Sequence, residues 1–148
     1  MEPETRTQVI GRIMTIRVVT IEMDDSLEVV RDIFKKVRFH HLLVVDNEKL
    51  VGIISDRDML KAVSPFVGTM SETTRDQATL NKRAHQIMSH HPVTVRSSCS
   101  LQEAAQLMLA RGISCLPVTT ADGEVLGMVT WKDVLRAILG SHGFTDGS

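Results

Sequence analysis

Short β-branched apolar runs alternate along the chain with stretches in which apolar residues return every third or fourth position, and this alternation predicts a mixed α/β protein. Val18-Val19-Thr20-Ile21 predicts a first strand. Asp24-Asp25-Ser26 offers N-cap side chains, and Leu27, Val30, Ile33, Phe34 and Val37 follow at helical spacing. Glu28 in the first turn and Lys35-Lys36 in the last match the helix dipole. Leu42 to Val45 predicts a buried strand, Asp46 to Lys49 a turn, and Leu50 to Ile54 the return strand of a hairpin. Ser55 opens a second helix carrying Met59, Leu60 and Val63, which Ser64-Pro65 stops. Farther on, Val93-Thr94-Val95 predicts a strand, Ser100 caps a helix with Leu101, Ala104, Ala105 and Met108 on one face, and Gly112 ends it. Leu116-Pro117-Val118 predicts a strand, Ala121-Asp122-Gly123 a hairpin turn, Val125 to Val129 its return strand, and Lys132 to Leu139 a last helix ending near Gly140. Val9 to Met14 and Leu80 to Met88 read as helical lead-ins to the two halves.

The two halves are copies. Ile13-Met14 returns as Ile87-Met88, Val19-Thr20 as Val93-Thr94, Ser26-Leu27 as Ser100-Leu101, and Leu42 and Val44 as Leu116 and Val118, each 74 residues on. One extra residue near Gly123 moves the offset to 75, after which Gly52-Ile53-Ile54-Ser55-Asp56-Arg57-Asp58 returns as Gly127-Met128-Val129-Thr130-Trp131-Lys132-Asp133. Periodicity alone does not keep such a register through a whole unit, so a duplicated structural unit is implied. The boundaries drawn are a lead-in at 1–11, repeat one at 12–66, a linker with a short helix at 67–85, repeat two at 86–141, and a tail at 142–148, with both ends of the chain expected to be loose.

Composition narrows the classes. Each repeat alone is near the size where a single core is marginal, so the two are expected to share buried surface. The formal net charge of −1 argues against a generally basic nucleic-acid-binding face, and no nucleic-acid partner is expected. The start, Met1-Glu2-Pro3-Glu4, is polar and acidic, unlike a signal peptide, and no apolar run approaches membrane-spanning length. Cys99 and Cys115 form no CxxC pair, so reduced thiols in a cytoplasm are expected. A P-loop, a Gly-x-Ser-x-Gly elbow and an HExxH motif are all missing, which points away from an enzyme.

The strand-helix-strand-strand-helix order, the two Gly-x-x-(Ser/Thr)-x-x-Asp runs, and Ile113-Ser114-Cys115-Leu116-Pro117-Val118 together resemble a tandem pair of cystathionine-β-synthase (CBS) domains, the Bateman module, in a stand-alone bacterial-type form. The resemblance covers Val9 to Leu139 and implies two pseudo-symmetric β-α-β-β-α repeats packed as one α/β module. Copy one departs from it at Phe39-His40-His41-Leu42-Leu43-Val44, which lacks the proline and carries histidines where the family commonly has small residues. The resemblance further implies a non-catalytic, dimeric regulatory module. Such modules bind adenosine-containing ligands (AMP, ADP, ATP or S-adenosylmethionine) in clefts between the repeats and act on a protein partner that the sequence does not name. Carried over residue by residue, one cleft uses Thr130 and Asp133 with Val19, Phe39, His40 and His41. The other uses Ser55 and Asp58 with Val93, Ile113, Ser114 and Cys115.

The residue chemistry suits that expectation. An ionised Asp only accepts hydrogen bonds, and a ribose diol offers two donors. The Ser or Thr hydroxyl serves ribose or phosphate at a helix start. Val19, Val93, Ile53 and Met128 supply apolar walls for a base, and Arg57, Lys132, Arg38, His40 and His41 are candidate phosphate partners. The same Ser/Thr-x-x-Asp spacing is also a helix capping box, and both roles can hold at once. Two other readings stand beside the sensor: a dimeric scaffold whose clefts are vestigial, and a metal- or redox-responsive protein using His40, His41 and Cys115. Against the latter, no Cys/His cluster has zinc-finger spacing, His90-His91 point apart in a strand, and a buried Cys115 is inert. Trp131, at a helix start, is expected to be partly buried against a second copy of the chain.

Overall fold

The structure, a computed structural model, describes residues 8–141, and the two expected loose ends lie almost wholly outside the described residues. Two compact units form, one from residues 19–92 (the first unit) and one from 8–18 together with 93–141 (the second unit). Each unit thus contains the body of one repeat and the lead-in of the other.

In the first unit, β1 (Thr20–Glu22) pairs parallel with β2 (His41–Asp46), and α1 (Leu27–Lys36) makes the crossover between them. A parallel pair needs such a crossover, and the sequence supplies it cleanly. Ser26 caps α1, its hydroxyl accepting from the Val29 N–H. β2 turns back into β3 (Lys49–Ser55), and β3 pairs antiparallel with the short β4 (Ser89–His90), giving a sheet ordered β1-β2-β3-β4. The two-residue turn holds Asn47 and Glu48 in the left-handed region, at φ 50° and 67°. α2 (Asp56–Ala62) follows β3, then α3 (Thr74–Ala78) and α4 (Ala84–Ile87). The core gathers Ile21, Leu27, Val30, Leu42, Val44, Ile54, Met59, Ala84 and Met88.

The second unit repeats the plan with α5 (Leu101–Arg111), β5 (Cys115–Thr119), β6 (Val125–Thr130) and α6 (Trp131–Ser141). Ser100 caps α5 by accepting from the Glu103 N–H, and Gly112 ends it in the left-handed conformation, φ 63°. Its core, Ile10, Leu101, Ala104, Met108, Leu116, Val118, Val129 and Val134, largely fills the slots of the first. Ile10 from the lead-in stands where Ala84 stands in the first unit. Both β hairpins also carry their bulge at equivalent places, Val44/Val45 and Val118/Thr119.

The two glycines of the repeated motif have a common cause: the lead-in of the other repeat crosses the strand there. A Cβ on Gly52 would lie 2.3 Å from Met88 Sδ and 3.0 Å from the Ser89 carbonyl. One on Gly127 would lie 2.6 Å from the Thr15 carbonyl and 3.1 Å from Met14 Sδ. The recurring Ile-Met pair therefore belongs with the recurring glycine.

Several local expectations are corrected. Val93–Val95 is not a strand but one parallel bridge, Val95 to Val118. In the first unit the Leu43 N–H donates to the Val19 carbonyl at 3.3 Å. Pro117 occupies that place in the second unit and has no N–H to give, so the ladder is cut to a single rung. Leu80 to Met88 is not one helix; a 3-10 turn at Thr79–Asn81 and α4 are separated at Lys82-Arg83, whose backbone is extended. The linker holds α3, which a Thr73/Asp76 capping box starts and which the polar run at Ser71 to Gln77 did not announce. Leu60, expected on the apolar face of α2, is exposed, while Met59 is buried.

Candidate functional site

Each unit carries one copy of the hydroxyl-x-x-Asp motif where a strand of its hairpin runs into a helix. In the first unit Ser55 caps α2: its hydroxyl accepts from the Asp58 N–H at 3.1 Å, and Asp58 Oδ2 accepts from the Ser55 N–H at 2.9 Å. In the second, Asp133 Oδ2 accepts from the Thr130 N–H at 3.0 Å and from its hydroxyl at 3.2 Å, while Thr130 Oγ1 accepts from the Asp133 N–H at 3.4 Å. Both copies are therefore capping boxes in fact. The next backbone donor is taken alike: Asp56 N–H donates to the His40 carbonyl at 2.9 Å, and Trp131 N–H to the Ser114 carbonyl at 3.1 Å. These bonds leave little of either helix start for an anion, which weakens the phosphate role expected there.

The carboxylates then diverge. Asp58 is half-buried, and its Oδ1 accepts no hydrogen bond among the described residues. Asp133 is 7% exposed, and the Thr15 hydroxyl reaches both of its oxygens, at 3.2 Å and 3.1 Å. Arg136 Nη1 stands 3.9 Å from Asp133 Oδ1. Thr15 and Arg136 were not among the expected site residues. A signal for Thr15 existed, since its counterpart Ser89 also carries a hydroxyl and follows the repeated Ile-Met pair. Ser89 pairs with Ile53 as Thr15 pairs with Met128, yet its hydroxyl makes no bond to Asp58.

The remaining expected residues fall as follows. In the first unit Val19 and Ile53 are half-buried, Phe39 likewise, and Arg57 is exposed. His41 lies opposite Ser55 in the β2–β3 register. His40 is exposed, with Nδ1 2.9 Å from Asp56 Oδ2, and this contact does most to hold the Asp56 carboxyl below its usual range. Burial pushes the His41 ring below the ordinary histidine value, with nearby Asp56 opposing. In the second unit Val93 and Ile113 are half-buried, and Ser114 and Lys132 are exposed. Cys115 is buried opposite Thr130, its thiol 3.7 Å from Met128 Sδ. Burial, with Asp133 nearby, pushes that thiol up to about 12, so it stays protonated and unreactive. The Val93 carbonyl accepts no hydrogen bond among the described residues, a further consequence of Pro117. The sets expected from the family resemblance draw on both units: Asp133 is grouped with Val19, Phe39, His40 and His41, and Asp58 with Val93, Ile113, Ser114 and Cys115.

The metal or redox reading finds no support in these positions. Among the described residues no group of three or more His, Cys, Asp or Glu could hold a metal ion. No helix among the described residues is long and apolar enough to cross a membrane.

The CBS-domain family model matches residues 10–65 and 84–140. A CBS domain-containing protein of Dictyostelium discoideum is 35% identical over 132 residues, covering 88% of this chain and 90% of that protein. The chain matches, at 33% identity over 79% of its length, only 21% of an inosine-5'-monophosphate dehydrogenase of Korarchaeum cryptofilum, so related pairs also occur inside longer enzymes. Among solved structures, CBSX2 of Arabidopsis thaliana in complex with AMP superposes with a TM-score of 0.76 at 29% identity, over 90% of this chain and 97% of that one. The CBS domain pair of protein MJ0100, in complex with 5-methylthioadenosine and S-adenosyl-L-methionine, gives 0.73 at 26% identity, over 90% and 98%. With both repeats matched by the family model and the fold shared with solved CBS pairs, the chain belongs to the CBS-domain family as a tandem pair of CBS repeats.

Proposed function

We propose that this chain is a non-catalytic sensor that binds adenosine-containing ligands through its two hydroxyl-x-x-Asp motifs. The observation that carries the reading is Asp58: a carboxylate fixed by a capping box with one oxygen left over. That free acceptor matches the donors of a ribose diol, and a charge-assisted bond of this kind contributes about 1.5–3 kcal/mol. The similar proteins whose solved structures hold AMP or S-adenosyl-L-methionine support the same ligand class. The proposed ligand set remains Ser55, Asp58, Thr130 and Asp133 for ribose and phosphate, with Val19, Ile53, Phe39, Val93, Ile113 and Met128 as walls for the base. His40, His41, Arg57, Lys132, Ser114 and Cys115 complete it. The unpaired Val93 carbonyl, in the set grouped with Asp58, is a fitting acceptor for an adenine amino group. A ligand would act by favouring one conformation, which requires different affinities for the two states.

We place the protein in the cytoplasm as a homodimer that regulates another protein. Trp131, Leu135 and Leu139 are exposed one turn apart along α6, an apolar stripe suited to a second copy. Light scattering of the purified protein, with Trp131→Glu as the disrupting variant, tests the dimer.

Calorimetry with AMP, ADP, ATP, S-adenosylmethionine and NAD, after removal of copurified nucleotide, tests the sensor. Saturable binding weakened by Asp58→Ala or Asp133→Ala is the expected result. A second reading, a scaffold with vestigial sites, is favoured by the saturation of Asp133 with protein donors. It predicts that these substitutions lower stability alone, with no ligand bound by the parent protein.

A further inference from the structure

Asp133 and Asp58 occupy equivalent places in the repeat, but their acceptor capacity is spent differently. A carboxylate offers roughly four lone-pair positions. On Asp133 the Thr130 N–H and hydroxyl take two of them on Oδ2, and the Thr15 hydroxyl is shared between Oδ1 and Oδ2. Its side chain is nearly sealed from solvent. On Asp58 only the Ser55 N–H is bound, at Oδ2, and Oδ1 is open. The Thr15 hydroxyl is the main source of this difference. Its counterpart Ser89 sits at the same register position and donates nothing to Asp58.

We infer that Thr15 is a built-in competitor for the acceptor positions of Asp133, so that the two motifs differ in affinity and the Asp58 motif fills first. This rests on the nucleotide reading proposed above and adds to it an order of filling and the residue that sets it. A ribose hydroxyl and the Thr15 hydroxyl are the same donor chemistry, so a diol arriving at Asp133 has to displace Thr15, whereas at Asp58 it meets an open oxygen. The backbone does not have to move for the exchange. The Thr15 N–H donates to the Met128 carbonyl at 2.8 Å and the Met128 N–H to the Thr15 carbonyl at 3.0 Å, so the segment stays bridged while the side chain rotates away. Removal of the hydroxyl leaves Asp133 Oδ2 held by the Thr130 N–H and hydroxyl, and Oδ1 without a hydrogen bond among the described residues, the Arg136 guanidinium standing 3.9 Å away.

The test is calorimetry with AMP in an Asp58→Ala background, which isolates the Asp133 motif. Thr15→Val, nearly isosteric, raises AMP affinity there at least about tenfold, and Thr15→Ser, which keeps the hydroxyl, leaves it near the Asp58→Ala value. In the otherwise native chain, Asp58→Ala removes the tighter of two binding steps and Asp133→Ala the weaker. This second measurement decides the matter should Thr15→Val not fold. AMP affinity unchanged or reduced by Thr15→Val in a folded protein, or a tighter step lost in Asp133→Ala, overturns the inference while the sensor reading stands. Absence of AMP binding by the parent protein, with the other adenosine ligands equally silent, overturns both.

Discussion

The two copies of the motif begin from nearly the same residues and end as different chemical objects. Ser55 and Asp58 form a capping box that keeps one carboxylate oxygen in reserve, while Thr130 and Asp133 form one that shares its carboxylate with Thr15. A few substitutions outside the motif make the difference. The Thr15 hydroxyl of one lead-in donates to the carboxylate, whereas the Ser89 hydroxyl at the equivalent place of the other does not. Pro117 against Leu43 decides whether the preceding segment is a strand with its carbonyl engaged, as at Val19, or a single bridge with its carbonyl free, as at Val93. His40-His41 against Ser114-Cys115 puts a histidine–carboxylate contact at the start of one helix and a protonated thiol near the other. A duplicated motif thus predicts duplicated geometry, while the occupancy of its acceptors depends on neighbours that differ between the copies.

The comparison can be broken first at the glycines. Gly127→Ala drives a Cβ into the Thr15 backbone and is expected to cost about 3 kcal/mol. Gly52→Ala meets chiefly the flexible end of Met88 and is expected to cost about 1–2 kcal/mol. Urea unfolding midpoints of the two variants measure the gap, and equal costs would mean that the lead-ins yield equally.

The carboxylates come next. Asp133→Ala strands the Thr15 hydroxyl and the Thr130 N–H in a partly buried place, for a loss of about 2 kcal/mol. Asp58→Ala removes a half-exposed cap, for about 1 kcal/mol. Thermal unfolding without ligand separates these figures from any binding effect.

Pro117→Ala sharpens the strand difference. The new N–H can donate to the Val93 carbonyl, a gain of about 1 kcal/mol that the looser unfolded chain largely offsets. Stability therefore changes little, while the amide at position 117 becomes protected in hydrogen exchange and adenosine affinity falls if Val93 receives the base. An unprotected amide there would show that Pro117 is not what limits the strand.

The smallest effect is that of pH. The folded value of His41 is lowered by burial, so its contribution to stability is constant above about 6.5 and is lost as pH falls below that value toward the folded one. His41→Asn is expected to flatten the acid limb of the stability curve below about pH 6.5. Cys115, with Asp133 nearby, adds nothing in this range because its thiol is protonated throughout.

Much of the fold was legible in the residues themselves. Leu27, Val30 and Ser26 announced α1, Ser100 and Gly112 bracketed α5, and the alternation of β-branched runs with turn residues placed β2, β3, β5 and β6 within a residue or two. These are local signals: apolar periodicity, side-chain capping and turn chemistry act within a few residues, so a window of sequence contains their causes. The capping boxes were legible for the same reason, since Ser55 and Asp58, or Thr130 and Asp133, lie within one turn of each other. The duplication carried the rest of the architecture, because a register kept through a whole unit leaves few folds open.

Contacts distant in sequence were decided only by the tertiary structure. Which repeat a lead-in packs against, and so why Gly52 and Gly127 admit no side chain, depends on segments far apart in the chain. The hold of Thr15 on Asp133 spans 118 residues, and the loss of the Val93 strand depends on a missing N–H at Pro117. Hydrogen-bond partners across such separations are set by packing, and no periodicity records them. By itself the sequence determined two repeats, their elements and the residues of the motif. The tertiary structure decided that one of the two carboxylates is already spoken for.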